Sequence, residues 1–223
     1  MCGQFAVLGS LKAIKDYYEF LKNGAFSFDV NEYYYFESDL LLDLPEAYVK
    51  PISYLPIITV KAKRIVSIKA ARWGLVPSWA KDESFAFKTI NARIESVHEK
   101  ASFKNAYQQR RCLVPMTGFY ERGADKKLNY FTNDGDGMKS FAGLWEVWVR
   151  RGDFQSSISK DNNLDSFVPR KDNRYDKSSQ ELVTFTIITC QADERVSGVH
   201  DRMPVVLDEI QAVDWLNDGK LAV

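Results

Sequence analysis

Residues 110–123 read RRCLVPMTGFYERG. Small, β-branched and aromatic side chains crowd between two arginines and a closing glycine, which is the composition of a strand rather than a helix. Working outward, LNYFTN at 128–133 and KSFAGLWEVWVR at 139–150 read as two further strands, with NDGDG at 133–137 a strong turn signal between them. Upstream, IITV at 57–60 and RIVSIKAARWG at 64–74 read as a strand pair, and downstream ELVTFTIITC at 181–190 reads as a buried strand. The pattern predicts an α+β fold: a single domain over residues 1–223, built on a mostly antiparallel, barrel-like β-sheet with flanking short helices.

The helices are few. FAVLG at 5–9 reads as a short buried strand, and SLKAIKDYYEFLKNG at 10–24 as an amphipathic helix with Ser10 as N-cap and Gly24 as stop. Its apolar positions Leu11, Ile14, Tyr18 and Leu21 recur at helical spacing. Short helices are predicted around SVHEKASF (96–103) and FKNAYQQR (103–110), and a closing helix over DEIQAVDWLNDG (208–219), capped by Asp208. Residues 31–56, aromatic and acidic with scattered prolines, read as a long ordered loop. Residues 151–180 are polar and lack apolar periodicity, so they read as an exposed insertion.

Composition narrows the functional classes. With 223 residues the chain buries a core without staples. Its three cysteines, Cys2, Cys112 and Cys190, leave one unpaired under any pairing, and two lie in apolar strand-like runs. That usage fits a reducing, cytoplasmic setting. No apolar run approaches a membrane span. Lys+Arg and Asp+Glu both total 30, so bulk charge does not draw the chain to nucleic acid and any such contact needs a local basic patch. Two histidines and scattered cysteines offer no zinc-type ligand spacing, and there is neither a glycine-rich phosphate loop nor a GxSxG elbow, so no metal and no cofactor are expected.

Four stretches concentrate reactive or rigid residue types: MCGQF at 1–5, ARWGLVPSWA at 71–80 with KTINARIES at 88–96, GFYE at 118–121, and GVHDRMP at 198–204. Each has an ordinary reading. Cys2 reads as a small terminal residue, Asn91 as a cap before a helix near Glu95, Glu121 as a solvated strand carboxylate, and His200 as a structural histidine bonded to Asp201. Against these, FAVLG draws the terminus toward the core, and Gly118, Phe119 and Tyr120 set Glu121 in packed surroundings where desolvation raises a carboxyl's pKa. His98, in a charged stretch, reads as exposed.

The motifs MCGxF, WGLVPSWA, INARIES, RCLVPMTGFYE, FAGLWE and TIITCQAD leading to VHDRMP, in this order, resemble the SOS response-associated peptidase (SRAP) family. The resemblance runs from Met1 to about Leu207. It implies recognition of abasic sites in single-stranded DNA and covalent capture by an N-terminal cysteine, ending in a thiazolidine. Carried onto this chain, it implies Cys2 as nucleophile, freed by removal of Met1, with Asn91, Glu121 and His200 as the assisting residues.

The chemistry of that set is coherent. An α-amine titrates at about 7.7–8.0 against about 10.4 for lysine, so it is the better imine former near neutrality. A partly buried carboxylic acid suits the opening of the abasic sugar ring to its aldehyde. A thiol on the same residue then adds to the imine intramolecularly. His200 is assigned proton transfer, and Asn91 the holding of the sugar or the amine.

For the DNA, Arg93 and Arg202 beside the reactive residues suggest phosphate clamps, with Arg72 and Lys88 as further candidates. Trp73, and with less reason Trp79, suggest stacking surfaces, core packing being the alternative for both. The chain departs from the family's pattern at Gln4, where arginine is common, at SYLPIITV around Pro56, and at Arg122, where tryptophan is more frequent after the glutamate. The expected partner is single-stranded DNA with abasic sites, the expected state a monomer. A peptidase or amidohydrolase with Cys2 as N-terminal nucleophile, and a non-covalent single-strand binding module, are the competing readings.

Overall fold

The computed structural model describes residues 3–7, 11–24, 26–28, 49–61, 64–132, 137–150 and 181–221. Its strands are β1 (Gln4–Ala6), β2 (Ser27–Phe28), β3 (Tyr54–Lys61), β4 (Ile65–Trp73), β5 (Asn91–Arg93), β6 (Arg111–Met116), β7 (Gly118–Arg122), β8 (Leu128–Phe131), β9 (Lys139–Val149), β10 (Glu181–Gln191), β11 (Arg202–Pro204) and β12 (Val206–Leu207). The helices are α1 (Leu11–Tyr17), α2 (Lys104–Gln109), α3 (Glu194–Ser197) and α4 (Glu209–Asp218).

RRCLVPMTGFYERG is not one strand but two. It breaks at Thr117, whose amide and hydroxyl both donate to Ala6 O, at 2.8 and 3.2 Å. β6 stays in the large sheet, while β7 leaves it to pair with β1 and β8. The large sheet runs β10–β4–β3–β6–β9 and closes where β9 pairs with β10 over Val149–Gly143 against Glu181–Ile187. The result is a five-stranded barrel. It is mixed rather than wholly antiparallel, because β4 lies parallel to β10.

Both faces of the barrel wall are covered, since neighbouring residues that alternate sides along a strand, such as Ile57 and Ile58 or Leu113 and Val114, are equally buried. Ile57, Ile58, Leu113, Val114, Phe141, Leu144, Phe185 and Ile187 are fully buried. Gly143 admits the Cys112 sulfur; a Cβ there would stand 2.9 Å from Sγ. Cys112 and Cys190 are both buried free thiols, and burial pushes both of their pKa values up. The closing helix α4 is capped by Asp208, with Gln211 completing a capping box, and ends at Gly219 in the left-handed region. Its Trp215 is fully buried, and the indole N–H donates to Cys112 O at 3.0 Å.

Other elements differ from the sequence expectation in identifiable ways. The helix predicted over 10–24 is α-helical only to Tyr17 and continues as a 3-10 turn, Tyr18–Gly24. Ile14, Tyr18 and Leu21 are fully buried as the spacing required, and Tyr18 Oη meets Ser140 Oγ at 2.8 Å. Ser10 lies outside the described residues. Residues 96–103 form successive turns instead of a helix, whereas α2 forms within 103–110. β3 begins at Tyr54, so the end of the predicted 31–56 loop is strand. Pro56 is tolerated there because β6 joins β3 only at Ile58 and Thr59. The predicted β8–β9 hairpin does not form, since these strands belong to different sheets. Instead β7 and β8 make the hairpin, turning at Gly123–Lys127 with Lys126 at φ 64°. Residues 29–48, 133–136 and the insertion 151–180 lie outside the described residues.

Candidate active site

β1 is tied to the barrel by Phe5. This ring is fully buried, meets Trp73 and Phe141 edge-on at 5.1 and 5.3 Å, and its backbone exchanges hydrogen bonds with Val49. The antiparallel register with β7 is Ala6 against Gly118, Phe5 against Phe119 and Gln4 against Tyr120. One further step brings Gly3 to the level of Glu121. Cys2 lies outside the described residues.

Strand alternation puts Phe119 and Glu121 on the inward face and Tyr120 and Arg122 on the outward face. Glu121 is 2% exposed. Burial pushes its carboxyl above the usual carboxylate range; positive charge at the chain's amino terminus and at His200 opposes this, and Asp201 adds to it. Such a group binds and releases a proton nearer neutrality than a surface glutamate does.

β10 organises the other two residues. β5 runs parallel to it, with Asn91 level with Ile187, and β11 runs antiparallel, with Arg202 level with Gln191. Asn91 is therefore a half-buried strand residue and not a helix cap. His200 follows α3, whose N-cap Asp193 accepts from the amides of Arg195 and Val196. The His200 amide donates to Val196 O at 3.0 Å. Its Nδ1 accepts from the Arg202 amide at 2.9 Å and stands 2.8 Å from Asp201 Oδ1. One nitrogen cannot accept and donate at once, so the neutral ring takes the amide and carries its proton on Nε2, while the charged ring favours Asp201.

Of the residues expected to hold DNA, Arg93 and Lys88 are exposed. Three others are engaged by the protein itself. Arg202 is engaged by its own fold: Nη1 and Nη2 donate to the two oxygens of Glu95 at 2.6 and 3.0 Å, and Nη2 also donates to Thr189 O at 2.7 Å. These bonds hold the Glu95 carboxyl below its ordinary range. Arg72 is 8% exposed and donates to Glu83 at 2.6 Å, and Glu83 also bonds Arg150. Trp73 is fully buried with its N–H on Ile90 O, so it presents no face to a base. Trp79, the less favoured tryptophan, is the exposed one at 48%.

Sequence reasoning missed Glu95 as the anchor of Arg202, since the two are 107 residues apart. It also missed Tyr130, an exposed ring on β8 packed against Tyr120 at 4.6 Å. His98 is exposed as read, beside Glu99. Among the described residues no cluster of three or more His, Cys, Asp or Glu offers a metal site, and no helix is long and apolar enough to cross a membrane.

The model of the SOS response associated peptidase (SRAP) family matches residues 1–222. The chain belongs to the SRAP family. Among SRAP relatives, the abasic site processing protein YoqW of Bacillus subtilis is 35% identical over 150 residues, 66% of this chain and 55% of that protein. The abasic site processing protein HMCES of Rattus norvegicus is 32% identical over 170 residues, 68% of this chain and 45% of that protein. The match thus spans about half the length of these relatives. A crystal structure of a protein from Bacteroides thetaiotaomicron aligns over 99% of this chain and 83% of its own, with TM-score 0.66 and 26% identity. One from Bordetella bronchiseptica aligns over 97% and 89%, with TM-score 0.65 and 19% identity, a likeness of fold.

Proposed function

We propose that the protein processes abasic sites in single-stranded DNA by covalent capture through Cys2, once Met1 has been removed. The observation that carries this reading is the β1–β7 register. The strand beginning two residues after Cys2 is hydrogen-bonded to the strand bearing Glu121, a buried carboxyl whose proton affinity responds to charge at the chain's amino terminus and at His200. SRAP membership and relatives named abasic site processing proteins support the choice of substrate.

In the proposed sequence, the neutral carboxyl of Glu121 assists opening of the sugar hemiacetal to the aldehyde. The α-amine of Cys2 attacks C1, the carbinolamine loses water, and an imine forms. The thiol then adds its sulfur to the imine carbon while its proton passes to nitrogen, closing a five-membered thiazolidine with net loss of one water. His200 carries protons between these steps, and Asn91 positions the sugar. Peptide hydrolysis by Cys2 lacks a comparable observation in its favour.

Two substitutions test the order of steps. Cys2→Ala should abolish the gel-stable adduct with an abasic oligonucleotide. Cys2→Ala and Cys2→Ser both keep the α-amine and lack the thiol, so either should give adduct only when borohydride traps the imine. A stable adduct with Cys2→Ser and no reductant would overturn the thiazolidine step.

A further inference from the structure

The outward face of the small β1–β7–β8 sheet carries an exposed aromatic and basic surface that the proposed chemistry does not use. Gln4, Tyr120 and Tyr130 form one row across the three strands, and Arg122 and Leu128 form the next. Tyr130 is 43% exposed. Its ring lies over Gly118, where an added Cβ would stand 2.4 Å from the ring carbon Cζ and from the hydroxyl oxygen. The ring also packs against Tyr120 at 4.6 Å, and its 43% exposure leaves the remainder of the side chain open to solvent.

The charge around the ring is positive. Arg122, Lys126 and Lys127 are exposed, and the nearby acid, Asp125, is 3.6 Å from Lys127. Among the described residues no carboxylate pairs with Arg122 or Lys126; the Arg122 guanidinium donates to Lys126 O. Lys126, held at φ 64°, sits at the hairpin tip. Neighbouring strands are about 4.8 Å apart, which puts Tyr130 about 10 Å from Gln4 across the sheet.

We infer that this face is a stacking platform for single-stranded DNA, in which Tyr130 takes the face of a base beside the lesion and Arg122 takes the adjoining phosphate. The choice of DNA as occupant rests on the function proposed above. A partly exposed aromatic pair with cations lacking a carboxylate partner at its edge matches what an unstacked base and its phosphate offer, without regard to base identity. Arg122 also restores, from β7, a positive charge on the face where Gln4 brings none. The row arrangement sets it diagonal to Gln4 across the strand pair, a spacing of about 7–8 Å.

The test uses Cys2→Ala protein, which cannot close a thiazolidine, and a fluorescein-labelled undamaged single-stranded oligonucleotide, which offers no aldehyde, read by anisotropy. Tyr130→Ala should weaken binding about tenfold, while Tyr130→Phe keeps the ring and should bind within about twofold of the parent. Arg122→Gln should lower the slope of log K against log salt by about 0.7. Unchanged binding in Tyr130→Ala, or an unchanged slope in Arg122→Gln, overturns the platform. So does an equal loss of affinity in Tyr130→Ala for the same sequence as a duplex, because a paired base offers no face to the ring and duplex binding should not depend on it. Crosslinking by the Cys2 protein is scored separately, so loss of the platform and loss of the capture reaction are distinguishable.

Discussion

The burial of Glu121 is legible in the sequence because GFYE places a carboxylate among packing side chains, and the structure buries it as that composition implies. Its burial has a consequence for stability. The folded-state pKa stands above the ordinary 4.5, so between the two values the folded protein holds a proton that the unfolded chain has released. Stability therefore falls as pH rises through that window and stays lower above it. Glu121→Gln removes the penalised charge: near pH 7 it should raise Tm, by roughly 2–4 °C for each kcal/mol relieved, and near pH 4 the gain should vanish. Thermal scans of both proteins at both pH values decide this; an equal shift at the two would show that the charge is not the cause. The same substitution should slow adduct formation by about 10²–10⁴, the usual span of general acid–base catalysis.

At the scale of elements, the arginines separate by what their strands do with them. Arg202 is forked onto Glu95 and Thr189 and braces the turn that presents His200, whereas Arg93 projects from the exposed side of β5. Arg202→Lys cannot reproduce the fork. It should lower Tm and slow crosslinking while leaving the salt slope of single-strand binding unchanged, and Arg93→Gln should lower that slope by about 0.7 with Tm unchanged. A reduced slope in Arg202→Lys would return it to the DNA contacts. Local sequence cannot separate these two arginines, because the partner of Arg202 comes from a distant strand. Trp73 and Trp79 carry the same lesson: both sit near loop-like glycine and proline, and distant partners, Phe5 of β1 and Phe185 of β10, pack on the first.

For the whole molecule, alternating apolar runs disclosed the strands, and α4 was readable from its caps. Which strands share a sheet was not. NDGDG has the chemistry of a tight hairpin, yet the strands around it go to separate sheets because Thr117 and Gly118 redirect the chain from the barrel to the site. That redirection is what the fold contributes to the proposed function, since it sets Glu121 on the strand that pairs with β1. The capture reaction itself is tested most directly by intact mass. The protein, incubated with a single-stranded oligonucleotide bearing one abasic site, should give one adduct: the chain without Met1, plus the oligonucleotide, less one water, with the linkage mapping to Cys2. An adduct that retains Met1, maps to a lysine, or forms equally well with Cys2→Ala would overturn it.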